Sequence, residues 1–264
     1  DQVDIRKYRV NITEQPETID ATTNITGGYL LEIDEEAEDT EGSTVFTTSR
    51  GMKITIKSPD EDVIVSQQVD YIADHVQKFE DALFAENWLD PTDGYRKYLD
   101  LNSLVQWYIT TEYTAEPNSF RSVFFYKDIN NDKLTFGPVW DFDRSLGIVG
   151  NNKGAKAYDT LWAKQENPWF NALLEFEEFD ALVREILNSK EDEIRAKLDS
   201  CYTYLYANQD SFERNFKRWN LLGSYVWPND DEICALETWE LQVEYTRTYL
   251  NSSLDYMLSI YVLE

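Results

Sequence analysis

The chain has 264 residues, enough for one large domain or two small ones, and its 42% hydrophobic and 14% aromatic content exclude global disorder. A formal net charge of -26, from 24 Lys and Arg against 50 Asp and Glu, speaks against a nucleic-acid partner, because phosphate neutralisation needs clustered cations. One histidine excludes multi-histidine metal centres, two cysteines define no disulfide framework, and no apolar run is long enough to span a membrane.

In chain order, Asp4 to Ile12 is predicted as a strand and Pro16 to Thr26 as a loop. The sequons at Asn11, Asn24 and Asn251 matter only in a glycosylating pathway. Gly27-Gly28 reads as a turn that opens a strand through Asp34, followed by an acidic loop over Glu35–Glu41. Val45–Thr47 and Met52–Ile56 form a predicted β pair, closed by Pro59, which removes a ladder donor. Lys57 at that strand end is a candidate phosphate partner, with a solvated lysine as the alternative. Apolar residues at 69, 72, 76, 79 and 83 predict an amphipathic helix from Ser66 to Phe84, with His75 on its flank. A second helix starts after the N-cap Asp100 and is expected to end at Pro117. Arg121–Tyr126, a turn over Lys127–Asp132 and Lys133–Val139 predict a β-hairpin. Such a hairpin places the loop Glu116-Pro117-Asn118 near Asp141. Gly150–Gly154 reads as a turn, and helices are expected over about 168–188, 190–219 and 236–262, with Cys201 and Cys234 in or near them.

The segment Gly137-Pro138-Val139-Trp140-Asp141-Phe142-Asp143 carries the sharpest chemistry. In extended backbone, residues i and i+2 share a side, so Asp141 and Asp143 are expected to converge while Phe142 packs behind them. Two hard oxygen ligands suit Mg²⁺ or Mn²⁺ better than zinc. Asp-Phe-Asp is similar to the Asp-Phe-Gly of protein kinases, whose aspartate holds the nucleotide's metal. A solvated acidic turn is the alternative.

The ordered set Gly27-Gly28-Tyr29-Leu30-Leu31-Glu32, Lys57-Ser58-Pro59-Asp60, Ser122-Val123-Phe124-Phe125-Tyr126-Lys127-Asp128 and Gly137–Asp143 resembles the spore coat protein H (CotH) kinase family. Pro168-Trp169-Phe170 and Asn215-Phe216-Lys217-Arg218-Trp219 extend the resemblance through the rear of the chain. It implies an atypical, secretion-associated kinase fold that uses ATP and a divalent metal to phosphorylate Ser or Thr, with Asp141 holding the metal. The sequence departs from the family in the loop before the hairpin. Members often carry Asn-x-Asp there, with the aspartate as proposed general base, and the matching positions here read Glu116-Pro117-Asn118. A neutral amide cannot accept a proton as a base does. Either Glu116 takes the role, or the proton leaves without a base, or transfer is weak or absent. Asn118 retains the capacity to ligate metal or orient phosphate. A second departure is that little precedes Gly27, so the chain resembles the later portion of a family member.

The expectation is therefore an α+β, atypical protein-kinase-like fold with a β-rich front and a largely helical C-terminal lobe. Residues 1–264 form one CotH-like kinase domain lacking its N-terminal strands, with a β-rich part over 1–65 and a mainly helical part over 66–264 that contains a hairpin at 121–139. Its expected cofactors are Mg²⁺ (or Mn²⁺) and ATP, with Asp141 and Asp143 on the metal and Lys57 on the nucleotide. Glu116 and Asn118 are the catalytic candidates. The expected partner is a protein substrate or an assembly partner, with no nucleic acid and no membrane span, in a secreted, cell-surface or spore-coat setting. The main rival is a pseudokinase-like binding or structural module. A carboxylate glycosidase fits the composition but has no motif.

Overall fold

The computed structural model describes residues 13–38, 44–117, 121–129, 131–149, 157–161 and 167–263. The strand expected at Asp4–Ile12, the turn over Gly150–Gly154 and Asn118 lie outside the described residues. The chain divides into two units. The first comprises Asp1–Trp107, Asn118–Trp140 and Ala163–Phe179; the second comprises Tyr108–Pro117, Asp141–Trp162 and Asp180–Glu264.

The first unit is built on an antiparallel sheet of five strands among the described residues, in the order β2-β3-β1-β4-β5. The strands are β1 (Tyr29–Asp34), β2 (Val45–Thr47), β3 (Lys53–Ser58), β4 (Ser122–Lys127) and β5 (Leu134–Phe136). Period-2 alternation explains β3, where Ile54 and Ile56 are buried and Lys53, Thr55 and Lys57 are not. Central β1 is covered on both faces, so Tyr29, Leu30 and Leu31 form an unbroken apolar run. The turn before β1 needs glycine. A Cβ on Gly27 would lie 2.1 Å from the Ile129 nitrogen, and Gly28, at φ +90°, donates its N–H to the Lys127 carbonyl at 2.8 Å. The hairpin is shorter than expected, because β5 stops at Phe136 rather than Val139. Gly137 turns to φ +124° and Pro138 has no N–H to continue the ladder.

Helix α1 (Ser66–Leu83) starts at the expected residue, where Gln68 Oε1 accepts from the Val65 N–H at 2.8 Å. Its buried Glu80 ties three elements together. One oxygen accepts from Thr48 Oγ1 at 2.7 Å and Trp169 Nε1 at 2.8 Å; the other accepts from Ser49 Oγ at 2.8 Å and the Arg50 N–H at 3.0 Å. Burial alone would raise this carboxyl, but the donors outweigh it and hold Glu80 below the usual glutamate value. Trp169 and Phe170, in α3 (Pro168–Leu173), complete an aromatic core: Trp169 meets Phe79 edge-on at 5.1 Å and Phe170 stacks on Trp107 at 5.2 Å. His75 is a correction to the flank position expected for it. It is 7% exposed, and Nε2 sits 2.9 Å from the Asp132 carbonyl.

Helix α2 (Leu101–Thr114) begins after Asp100, whose carboxylate accepts from the Ser103 N–H at 3.2 Å. It ends at Thr114, ahead of Pro117, because Ala115 is left-handed at φ +56°. The rest of the chain holds α4 (Glu177–Ala207), α5 (Gln209–Arg218), the short α6 (Asp231–Cys234) and α7 (Trp239–Ile260). The expected helix boundaries need correction. There is no break near residue 189; the breaks fall at 174–176 and at Asn208. Phe176 leaves the helical path to stack on Trp88 at 3.7 Å. Asn208, at φ −115° and ψ 17°, donates its side-chain amide to the Tyr204 carbonyl at 2.8 Å and so competes with the ladder. In the second unit Tyr202, Trp239 and Val243 form a core with Leu198, Leu205, Phe212, Phe216 and Leu222 around it. The Tyr108 and Tyr261 hydroxyls meet at 2.8 Å, and Ser253 Oγ donates to the Tyr113 carbonyl at 2.9 Å. Cys201 and Cys234 are free thiols. Among the described residues no helix is long and apolar enough to cross a membrane.

Candidate functional site

The chain reaches the candidate site through a sharp turn. Trp140 packs on Phe124 with ring centroids 5.4 Å apart. Asp141 then takes left-handed backbone at φ 59° and ψ 48°, and Phe142–Arg144 form one 3-10 turn. The extended geometry expected for Asp141-Phe142-Asp143 is therefore not what joins the carboxylates; a coiled backbone does. The two acids still meet. Both aspartates are exposed; partial desolvation, the negative charge of Asp143 and a hydrogen bond between the two carboxyls raise Asp141 above its ordinary 3.8, against the opposing pull of Arg144. Two carboxylates side by side are the electrostatic complement of a cation.

Neighbours in the second unit fasten this turn. Ser145 Oγ donates to the Phe142 carbonyl at 2.7 Å, the Leu146 N–H donates to the Thr114 carbonyl at 2.7 Å, and Tyr245 OH donates to the Leu146 carbonyl at 3.1 Å. The end of α2 and the middle of α7 thus hold the segment that follows the aspartates. The Leu146 N–H bond ties the end of α2 to the segment after the aspartates, but it does not reach the loop Glu116-Pro117-Asn118 that was expected beside Asp141, and Asn118 lies outside the described residues.

The other candidates have different surroundings. Glu116 belongs to the second unit and is 1% exposed; its N–H reaches the Thr111 carbonyl at 3.4 Å. Asn118 lies outside the described residues. Lys57 belongs to the first unit. Its ammonium pairs with Glu32 at 2.9 Å, and Glu32 also accepts from Ser122 Oγ at 2.5 Å. Lys57 is half-buried and engaged rather than solvated.

Sequence reasoning missed Arg144. Its guanidinium lies 5.9 Å from the Trp227 ring centre and bears on Asp141 electrostatically. Its Nε is buried with no hydrogen-bond partner among the described residues. The signal was present as a fixed cation one residue past the second aspartate, but a basic residue in an acidic turn reads first as charge balance.

The model of the family described as CotH kinase protein matches residues 8–257. This chain belongs to the CotH kinase protein family. Its α+β architecture, with a β-rich N-terminal part and a helical C-terminal part, is the kinase-like organisation that membership carries, and kinase-like function follows in general terms. No curated protein and no solved structure matches the chain.

Asp141 and Asp143 are the residues that would hold a divalent metal in this CotH domain. Among the described residues no group of three or more His, Cys, Asp or Glu could hold a metal ion. Asp141 and Asp143 offer two hard oxygen donors whose mutual repulsion a cation relieves. Mg²⁺ characteristically binds through one or two carboxylates and completes its shell with water and substrate phosphate. The donor set suits a metal that arrives with a phosphate rather than a dedicated protein cage.

Proposed function

We propose that this CotH domain is a protein kinase that transfers the γ-phosphoryl group of ATP to a Ser or Thr hydroxyl of a secreted, surface or spore-coat protein. The observation that carries the proposal is the raised Asp141 beside Asp143 on a turn fastened by α2 and α7. Asp141 and Asp143 would hold Mg²⁺ or Mn²⁺. When bound, the metal would neutralise phosphate charge and orient the transferred group. Arg144 supplies a positive charge beside the pair, its Nε has no hydrogen-bond partner among the described residues, and its guanidinium would grip a phosphate oxygen. Lys57, in the first unit, is a separate candidate phosphate partner that would have to leave Glu32 to serve. Rate enhancement then rests on positioning and charge stabilisation. Asn118 would orient the acceptor hydroxyl or ligate the metal.

The test is twofold. Mg²⁺ with ATP should raise the melting temperature more than either alone, because ligands that bind only the folded state stabilise it. Radiolabelled phosphate should pass from ATP to a serine-bearing acceptor and fail to do so in Asp141→Asn. Activity unchanged in that variant would reject the site.

One observation favours a second reading, a pseudokinase-like module. Glu116, the only carboxylate in the stretch Glu116-Pro117-Asn118, is buried at 1% exposure, an unsuitable state for accepting a proton from an incoming hydroxyl. Under this reading ATP adds nothing to whatever shift Mg²⁺ alone produces.

A further inference from the structure

The second unit contains a cavity of about 340 Å³ that the catalytic proposal does not use. That volume lies in the range of small-ligand sites. Its walls combine two chemistries. Tyr158, Tyr245 and Tyr249 contribute aromatic surface, and Asp230 and Glu232 contribute carboxylates. The rings are arranged as a corner: Tyr158 meets Tyr249 edge-on at 6.3 Å and 89°, and Tyr245 lies 6.1 Å from Tyr249, tilted by 38°. Among the described residues no Lys or Arg lines the cavity.

Each wall has a structural reason to stay in place. Tyr245 is pinned by its hydrogen bond to the Leu146 carbonyl at 3.1 Å. Asp230 is held by its N–H to the Ile148 carbonyl at 2.7 Å, and one of its oxygens accepts from the Glu232 N–H at 3.1 Å. Tyr249 is buried at 6% exposure, whereas Tyr158 is open at 47%, so the corner has a fixed floor and an accessible side. Burial and the negative charges of Asp230 and Glu232 raise the Tyr245 phenol, so the ring stays neutral and the carboxylate field extends over it.

We propose that this cavity binds an organic cation, an ammonium or guanidinium head on an aliphatic stem, with the head between the tyrosine faces and Glu232 and the stem against Ile233. Aromatic faces attract cations through their quadrupole, and desolvation strengthens the attraction. Carboxylates at the mouth add long-range steering. The described carboxylates of the wall repel an anionic or phosphate-bearing ligand. The head could come from a basic side chain of a partner protein or from a free quaternary amine.

Isothermal titration without nucleotide tests this independently of phosphoryl transfer. The probes are N-acetyl-arginine amide, tetramethylammonium chloride and the uncharged N-acetyl-norleucine amide. Tighter binding of either cation than of norleucine amide by about tenfold or more supports the site. The stronger cation then separates a side-chain source from a free amine. Glu232→Lys should weaken the preferred cation about tenfold or more, whereas charge reversal at the exposed Glu61, in the first unit, should leave it unchanged. Ser252→Trp, which fills the cavity, should abolish binding with the circular dichroism spectrum retained. Should that variant unfold, Glu232→Lys at an exposed position decides alone. Equal affinity for charged and neutral probes, or equal weakening by Glu232→Lys and Glu61→Lys, overturns the proposal.

Discussion

With φ 59° and ψ 48°, Asp141 stands where most L-residues are strained and where Asp and Asn are tolerated. That backbone decides how the residue should be tested. Asp141→Ala confounds loss of the carboxylate with left-handed strain of about 1 kcal/mol. Asp141→Asn keeps the tolerance and removes the charge. The sign of its stability effect follows from the raised pKa: a carboxyl with a higher pKa folded than unfolded is destabilising once ionised, so stability falls as pH rises through that value. At neutral pH Asp141→Asn should therefore melt at or above the wild-type temperature while losing the joint Mg²⁺ and ATP shift. A variant that melts lower and keeps the shift would deny the pair a metal role. His75 gives the opposite sign at the same scale. Burial first, and the Lys127 charge second, lower it from 6.5 to about 4. Its contribution is present above pH 6.5 and is lost as pH falls towards 4. Between pH 7.5 and 5.5 this loss amounts to about 1.3 kcal/mol. The chain has no other histidine, so urea unfolding across that window isolates the residue, and His75→Leu should flatten it.

At the scale of elements, Glu80 decides whether α1, the β2–β3 turn and α3 behave as one body. Five donors converge on its two oxygens, those of Thr48, Ser49, Arg50, Gln77 and Trp169, and all five lose this acceptor when the carboxylate goes. Glu80→Ala should cost about 3 kcal/mol or more, read as a lowered urea midpoint. Glu80→Gln, which keeps one acceptor oxygen, should cost less. Little of this was legible in advance. Alternation in Lys53–Ser58 and turn residues at Gly27-Gly28 marked the strands because backbone and burial period act locally. The 3.6-residue stripe marked α1 to within a residue at each end for the same reason. The helix breaks at 174–176 and Asn208 escaped, since neither contains Gly or Pro. One depends on Phe176 finding Trp88, far away in sequence, and the other on a side-chain amide choosing the Tyr204 carbonyl. The site divides in the same way. Two acids around a phenylalanine could be read from spacing, but their left-handed and 3-10 backbone, the Glu32 partner of Lys57 and the placement of Arg144 are tertiary facts.

For the whole molecule, the charge of -26 sets the background against which any metal effect must be judged. Self-repulsion of that size disfavours the compact state, and it draws divalent cations to the surface without regard to a site. Monovalent salt reduces both effects, because the screening length falls from about 10 Å at 0.1 M to about 3 Å at 1 M. Raising NaCl from 0.02 to 0.5 M should therefore lift the melting temperature by about 4 °C, roughly 1–2 kcal/mol for a chain of this length. Mg²⁺ added at low salt should lift it further in wild type and in Asp141→Asn alike, by general neutralisation. In 0.5 M NaCl that shared part should fade. What remains with Mg²⁺ and ATP together should belong to wild type alone, since a pair of carboxylates closing on a metal-bound phosphate is screened far less than scattered surface charge. Scanning fluorimetry over the four combinations of salt and variant separates the two effects. A high-salt shift of equal size in both proteins would mean that the cation answers to the charge of the whole molecule and that the aspartates beyond Trp140 hold nothing of their own.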